Sequence, residues 1–275
     1  MLLLQAYSQT LTFFVALSYN QSLLTPDQSD RVEVVLVSPR NPLNIGAAAR
    51  AMANFGLRRL SIVSPFAVNW TEAKSAVGAP ELLHEARVFD SLGEAIEHCT
   101  LVVGTGSLDR RRPEQRVLTM SQAGAALRSA LSTTVYGGQE NARVALVFGS
   151  EKHGLTASDL AWCHAIAVIE TTSQQPSMNL GQAVAVALYE LTRIEDGSSP
   201  VILFPQTVAD SEHLERLAAL VEETMEEANY LTRGLRSANG EALRILLRRL
   251  MPNDADLRRM MGLFRRILWR LRHPD

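Results

Sequence analysis

Five short apolar runs, most of them followed by a loop and a helical segment, constrain the fold of this chain more than any other feature. Their β-branched residues, and the Gly and Pro residues that bound them, are typical of buried strands. The runs are VEVVLV at 32–37, LSIVSP at 60–65, TLVVGTG at 100–106, RVALVFG at 143–149 and AIAVIE at 165–170. Strands that alternate with helices form βαβ units. We therefore predict an α/β fold in which helices cover a mostly parallel sheet on both faces.

The segments between these runs carry helical patterns. The segment at 45–56 is rich in alanine and ends at a glycine, and Asn44 can cap its start. A last helix of this part is predicted at 179–194, directly after a loop that contains proline. Ser177 and Asn179 lie at that junction, where a helix has unpaired backbone N–H groups. Either residue can cap the helix or hold a ligand there.

The alternation of strands and helices ends well before the C-terminus and divides the chain. We predict an α/β domain at 31–196, a linker at 197–209 and a helical extension at 210–275. Residues 1–30 are apolar, but they are interrupted by polar residues and contain no Lys or Arg. They are too short and too polar to span a bilayer and lack the basic start of a signal peptide. We expect a poorly ordered extension, with an upstream start codon or a weak signal sequence as the alternatives.

The helical extension is rich in arginine. Nine arginines lie between Arg244 and Arg272, on segments that also carry an apolar stripe and are broken at Pro252. One interpretation is that the stripe docks on the rest of the protein while the arginines face outward and bind nucleic-acid phosphates. The alternative is a structural cap, in which the arginines pair with the acidic segment at 222–227.

Composition, charge and cysteine content argue against a chain that is basic throughout, a membrane-spanning protein and a disulfide or metal scaffold. The net charge is −2, so any surface that binds nucleic acid must be local. A composition of 47% hydrophobic and 20% charged residues fits a soluble globular protein without a membrane span. Cys99 and Cys163 show no CxxC pattern and no metal-ligand spacing. We expect free thiols in a reducing cytoplasm and no metal site.

Four loops rich in Gly, Ser or Asn follow predicted strands. In an open parallel sheet, the loops at the carboxyl ends of the strands meet in one crevice. Each loop has a plainer interpretation, such as an ordinary turn, a surface arginine at Arg50 or a helix cap at Asn179. Their convergence favours a shared ligand site. The loops are NPLNIGAAAR at 41–50, GTGS at 104–107, GSEKHG at 149–154 and QQPSMN at 174–179.

Three stretches in this order resemble the motifs of the SpoU/TrmH family of RNA ribose 2′-O-methyltransferases, in the SPOUT superfamily. They are NPLNIGAAAR, ALVFGSEKHGLT and SMNLGQAVAVALYEL, and the resemblance covers residues 32–194. The tail LRRLMPNDADLRRMMGLFRRIL also resembles the helical extension of those members that act on nucleotide 32 of the tRNA anticodon loop.

The resemblance implies a deep trefoil knot in the α/β domain. The last strand and helix would thread through the loops around Gly149, and S-adenosylmethionine would bind in the knot. It also implies a homodimer in which both subunits build the substrate site. Carried onto this sequence, the residues that bind the cofactor are Thr105, Gly106, Ser107, Gly149, Ile169, Pro176, Ser177 and Met178.

The resemblance further implies a catalytic group at the target ribose. Arg50 would face the ribose, and the residues around it would be Asn44, Glu151, Ser177 and Asn179. Arginine, with a pKa above about 12, is a poor base. We expect Arg50 to hold the phosphate and to stabilise the developing alkoxide, while phosphate or water takes the proton. No metal is needed.

The implied activity is methyl transfer from S-adenosylmethionine to a tRNA ribose 2′-OH, at cytidine or uridine 32. The implied partners are tRNA and a second copy of the chain, in the cytoplasm and without a membrane. Two alternatives stay open at this point. The substrate could be ribosomal RNA, or the chain could be a non-catalytic knotted RNA-binding protein.

Overall fold

The structure, a computed structural model, describes residues 24–66, 70, 78–107, 113–132, 142–172, 174–193, 209–230 and 236–273. The strands in these ranges are β1 (Val32–Val37), β2 (Arg59–Val63), β3 (Arg87–Phe89), β4 (Cys99–Thr105), β5 (Arg116–Thr119), β6 (Arg143–Phe148) and β7 (Ala165–Val168). The helices are α1 (Pro26–Ser29), α2 (Pro42–Asn54), α3 (Pro80–His84), α4 (Leu92–Ile96), α5 (Met120–Ser132), α6 (Ala157–Leu160), α7 (Leu180–Thr192), α8 (Ser211–Glu227), α9 (Arg236–Leu250) and α10 (Asp254–Arg272).

These seven strands form one sheet in the order β3-β2-β1-β6-β4-β7-β5, and every neighbouring pair is parallel. The predicted α/β fold with a parallel sheet is therefore confirmed. The central strands β1, β4 and β6 are buried along almost their whole length, which explains their continuous apolar runs. Because the strands run in one direction, the loops that follow β1, β6, β4 and β7 lie at the same edge of the sheet.

Helices pack on both faces of the sheet. On one face, α2, α5 and α7 bury residues such as Ile45, Leu127 and Leu188. On the other face, α4 and α6 contribute a second apolar cluster. Helices α2 and α7 are in such close contact that a Cβ atom on Gly181 would lie 2.6 Å from the Cβ atom of Ala47. The small residues at this contact hold the two helices side by side, close to the loops that precede them.

The start of α2 differs from the prediction. The helix begins at Pro42, and the Asn41 side chain caps it by accepting the N–H of Leu43 at 2.9 Å. Asn44 is therefore not the cap, because it lies inside the first turn and its side chain forms hydrogen bonds with Glu151 and Asn179. Four short elements, α1, β3, α3 and β5, were also missing from the predicted pattern.

The C-terminal helices α8, α9 and α10 enclose a small core of their own and pack beside α4. Leu214, Leu247 and Leu257 are buried in that core. The buried hydroxyl of Ser211 donates to the carbonyl oxygen of Cys99 at 3.2 Å, where β4 begins. The helical extension is therefore docked on the α/β domain.

The prediction that the tail arginines face outward is wrong for Arg248. Its side chain is fully buried. Its Nε donates to the Trp162 carbonyl oxygen at 2.9 Å, and its Nη1 donates to the Glu215 carboxylate at 3.0 Å. A charged group can be buried only where such partners replace water. Arg258 and Arg265, in contrast, are exposed. Three leucines of the predicted docking stripe are also exposed, namely Leu246, Leu250 and Leu271. The other members of that stripe are Leu243, Leu247, Leu257, Met261, Phe264 and Leu268.

Two predicted segments lie mainly outside the described residues. These are residues 1–23 of the N-terminal extension and residues 197–208 of the linker. The described part of the extension is folded, because Thr25 caps α1 and Leu24 is buried in the core of the α/β domain. Ala209, at the end of the predicted linker, is also buried.

Candidate active site

A cavity of about 520 Å³ opens at the edge of the sheet where β4, β6 and β7 end. Its walls come from the loops after these strands and from the first turns of α7. All eight residues that the sequence assigned to the cofactor line this one cavity. They are Thr105, Gly106, Ser107, Gly149, Ile169, Pro176, Ser177 and Met178.

The loop after β6 turns back on itself at the cavity wall. Gly149 lies so close to Gly154 that a Cβ atom on Gly149 would be 2.0 Å from the Gly154 carbonyl carbon. Gly154 itself has a φ of +64° and donates its N–H to the carbonyl oxygen of Ser150 at 2.8 Å. A side chain at position 149 would push this backbone apart, so the wall can close only with glycine there.

Polar groups of the other two loops are bonded within the protein. The Thr105 hydroxyl donates to the carbonyl oxygen of Val147 at 3.0 Å, and the Gly106 N–H donates to that of Ala167 at 3.2 Å. In the loop after β7, the Thr171 hydroxyl donates to the carbonyl oxygen of Pro176 at 3.1 Å. These bonds fix the shape of the cavity before any ligand enters.

Glu151 connects the cavity to the start of α2. Its carboxylate lines the cavity and accepts three hydrogen bonds, from the N–H groups of Arg40 (2.9 Å) and Asn41 (3.0 Å) and from the Asn44 side-chain amide (2.9 Å). Partial burial alone would raise the pKa of Glu151, but these hydrogen bonds outweigh it and lower the pKa below its usual value. The carboxylate is therefore ionised and committed to fixed donors.

Asn179 extends this network to α7. Its side-chain oxygen accepts the N–H of Gly181 at 3.0 Å, which is the capping bond, and its side-chain nitrogen donates to the Asn44 side-chain oxygen at 2.9 Å. Asn179 thus caps α7 and also links this helix to Asn44 at the start of α2. The structure brings Glu151, Asn44 and Asn179 into one hydrogen-bonded chain, and Ser177 lies two residues away on the cavity rim.

Arg50 does not belong to this group in a single copy of the chain. It is exposed on α2, beyond Asn44, and is not among the residues that line the cavity. Three further residues with acidic or basic side chains, not assigned by the sequence, do line it. They are Lys152, His153 and Glu170. Glu170 could have been found from the sequence, since it follows β7 at the same edge.

Residues 31–189 match the model of the SpoU rRNA Methylase family. The chain belongs to the SpoU family.

Its relatives in that family include TrmJ proteins. The chain is 32% identical over 240 residues to the tRNA (cytidine/uridine-2′-O-)-methyltransferase TrmJ of Pectobacterium atrosepticum, covering 85% of this chain and 95% of the relative. It is 35% identical over 251 residues to the tRNA (cytidine/uridine/adenosine-2′-O-)-methyltransferase TrmJ of Pseudomonas aeruginosa, covering 87% and 93%. The crystal structure of TrmJ from Z. mobilis ZM4 matches with a TM-score of 0.73 and 29% identity, over 86% of this chain and 98% of that one.

The cysteines of this SpoU-family chain lie apart from the chemistry of the cavity. Burial raises the pKa of Cys163 to about 12 and also raises that of Cys99, so neither thiol is a ready nucleophile. Within the described ranges, no three His, Cys, Asp or Glu side chains are grouped as metal ligands. In the same part of the chain, no helix has the length and apolar character to cross a membrane.

Proposed function

We propose that this chain is an S-adenosylmethionine-dependent tRNA ribose 2′-O-methyltransferase that acts on cytidine or uridine 32 of the anticodon loop. The observation that carries the proposal is the Glu151–Asn44–Asn179 network at the mouth of the cavity. It joins two helix starts to the loops that would hold the cofactor. The two TrmJ relatives, whose names specify tRNA and the ribose 2′-oxygen, support the substrate.

The cavity suits S-adenosylmethionine in size and in lining. Its volume of about 520 Å³ lies in the range of small-molecule sites. Ile169, Met178 and Ala183 offer apolar contacts for an adenine ring. Glu170 and Lys152 offer opposite charges for the ammonium and carboxylate of the methionine part. The bound cofactor supplies an activated methyl group. The close crossing of Gly149 and Gly154 is the point around which the trefoil knot is proposed to form.

The protein's task is to align a 2′-hydroxyl and to stabilise the charge that develops on it. Glu151 is not the base in this proposal, because its lowered pKa and its three donors favour a permanent anion. It positions Asn44 and the start of α2. Arg50 holds the phosphate and stabilises the alkoxide, and phosphate or water accepts the proton. Ser177 lies at the rim of the cavity, where its hydroxyl can contact the ribose.

The exposed position of Arg50 supports a homodimer. Arg50 does not line the cavity of its own chain. In the proposed dimer, Arg50 of one copy therefore contacts the ribose that is bound at the cavity of the other copy. The complete enzyme is then a dimer with two shared sites. We infer a cytoplasmic enzyme, because its tRNA substrate is found there.

The activity is tested by transfer of a labelled methyl group from S-adenosylmethionine to bulk tRNA and to ribosomal RNA, followed by mapping of the modified ribose. Transfer to tRNA at nucleotide 32 is expected. Transfer to ribosomal RNA alone would favour that alternative substrate, and RNA binding without transfer would leave a non-catalytic protein.

The role of Arg50 is tested with Arg50→Ala and, as a matched control, Arg58→Ala, which removes another exposed arginine just beyond α2. We expect Arg50→Ala to lower kcat about 100-fold or more, on the scale of a lost charge-stabilising group, and to leave cofactor affinity in calorimetry unchanged. Arg58→Ala should keep full activity. A large loss of cofactor affinity, or a monomeric mass of the wild type in light scattering at micromolar concentration, would contradict the shared-site arrangement.

A further inference from the structure

An exposed aromatic ring lies beside the proposed active site. Phe66 follows β2, and 68% of its surface is exposed. Single exposed apolar residues are common and need no function by themselves. Phe66 differs because its backbone is held to the loop after β1, where its N–H donates to the carbonyl oxygen of Pro39 at 3.1 Å. The turn before it is fixed as well, because the Ser64 hydroxyl donates to the carbonyl oxygen of Asp90 at 2.9 Å.

Arg40 stacks on this ring. The Arg40 guanidinium carbon lies 4.2 Å from the centre of the Phe66 ring, which is a close cation–π contact. Among the described residues, no carboxylate forms an ion pair with Arg40. With respect to these residues, the guanidinium keeps its N–H donors for a ligand while its flat face rests on the ring.

The same arginine connects the ring to the active site. The backbone N–H of Arg40 donates to the Glu151 carboxylate at 2.9 Å, and that carboxylate also holds Asn44 and lines the cavity. A chain of direct contacts thus runs from the Phe66 ring through Arg40 to Glu151, which lines the cavity. A strand of RNA with its ribose at the cavity would place a neighbouring nucleotide within reach of the ring.

We propose that Phe66 and Arg40 form a stacking platform for an unpaired base of the substrate RNA, next to the nucleotide that is methylated. Proteins recognise single-stranded RNA by stacking its bases on aromatic rings and guanidinium planes. The ring supplies the apolar face, and the free donors of Arg40 bind the adjoining phosphate. This inference rests on the proposed function, and it adds a contact that selects an unpaired loop over a helical stem.

The first test compares substitutions of Phe66 in the full-length protein. Phe66→Leu keeps an apolar side chain but removes the aromatic face, so the KM for tRNA should rise about tenfold while the Kd for S-adenosylmethionine stays unchanged. Phe66→Tyr and Phe66→Trp keep the face and should stay near wild type. Tyr230→Leu is the matched control, because it makes a similar change at a ring that is 74% exposed. An unchanged KM for Phe66→Leu would overturn the proposal.

The second test identifies the base. Methylation of anticodon stem-loop RNAs with a single abasic nucleotide is measured with wild type and with Phe66→Leu. If one base stacks on Phe66, its removal should weaken the wild type about tenfold and leave Phe66→Leu with no further loss. Additive losses at every loop position would refute a stacked base.

Two controls separate this inference from the proposed function. If the wild type transfers no methyl group to any tRNA, the proposed function fails before Phe66 is tested. If the wild type is active but Phe66→Leu changes its molecular mass in light scattering, the ring is a contact between copies of the chain, and the stacking platform is wrong.

Discussion

His164, directly before β7, is neutral in the folded protein. The ring is 3% exposed, and its Nδ1 atom accepts the backbone N–H of Val102 at 3.0 Å. Burial, with a smaller contribution from the charge of Arg248, lowers the pKa of His164 to about 3. This environment excludes His164 as a proton donor near neutral pH. It also argues against a nucleophilic pair with Cys163, whose pKa is raised.

The lowered pKa of His164 predicts a pH-dependent loss of stability. Between pH 6.5 and about 3, the unfolded chain binds a proton that the folded protein does not, so the free energy of unfolding falls as the pH falls through this window. The slope from this residue is at most about 1.4 kcal/mol per pH unit. His164→Asn keeps an acceptor for the Val102 N–H but does not titrate, and chemical denaturation at several pH values should give a shallower decline. The same slope as in the wild type would contradict the prediction; His84→Asn, at an exposed histidine, is the control.

At the scale of elements, the strands that the sequence predicted are those that the sheet buries on both faces. β1, β4 and β6 carry long apolar runs because helices cover them on each side. β3 and β5 are edge strands of three and four residues with exposed positions, so their pairing depends on the neighbouring strand more than on their own residues. The meeting of the loops at one edge was predictable because the strand ends carry them, whereas the eight cavity residues were assigned from the family resemblance. Arg40 and Phe66 were not predicted as site residues, because Arg40 lies just before the NPLNIGAAAR stretch and Phe66 lies outside all three family stretches.

One buried charge helps to attach α9 to the α/β domain. Arg248 is fully buried between the Trp162 carbonyl oxygen and Glu215, a partner 33 positions away that no local pattern reveals. Burial lowers the pKa of Arg248, and the charge of Glu215 opposes this. Arg248→Met keeps most of the volume but leaves Glu215 with only Arg244, so we expect the free energy of unfolding to drop by about 2–3 kcal/mol.

Arg259→Met is the matched substitution on the neighbouring helix. The Arg259 side chain is 79% exposed, and its ion pair with Asp256 is within one helix turn. The change should cost less than about 0.5 kcal/mol. Equal losses for the two variants in urea denaturation would mean that Arg248 does not anchor the extension.

At the scale of the whole molecule, the helical extension shows the contacts of one of the two roles that the sequence left open, the structural cap, while RNA binding by its arginines stays a prediction. Arg248 and Arg244 bond to Glu215, and Arg272 bonds to Glu223 at 2.6 Å, which are the contacts of a structural cap. Truncation of the extension would therefore expose the surface that Arg248 and Ser211 now cover. The question of RNA binding has to be asked with point substitutions in the intact protein.

Arg258 and Arg265 are the residues for that experiment. They are exposed and lie seven positions apart on α10, so they are two turns apart on the same face of the helix. If this face binds tRNA phosphates, Arg258→Gln together with Arg265→Gln should weaken tRNA binding without changing the Kd for S-adenosylmethionine. The slope of log Kd against log salt concentration should become shallower by roughly one to two, because about one phosphate contact is lost per arginine. Arg58→Gln, at an exposed arginine of the α/β domain, is the control. An unchanged salt slope in the double variant would assign the tail to the structural cap alone.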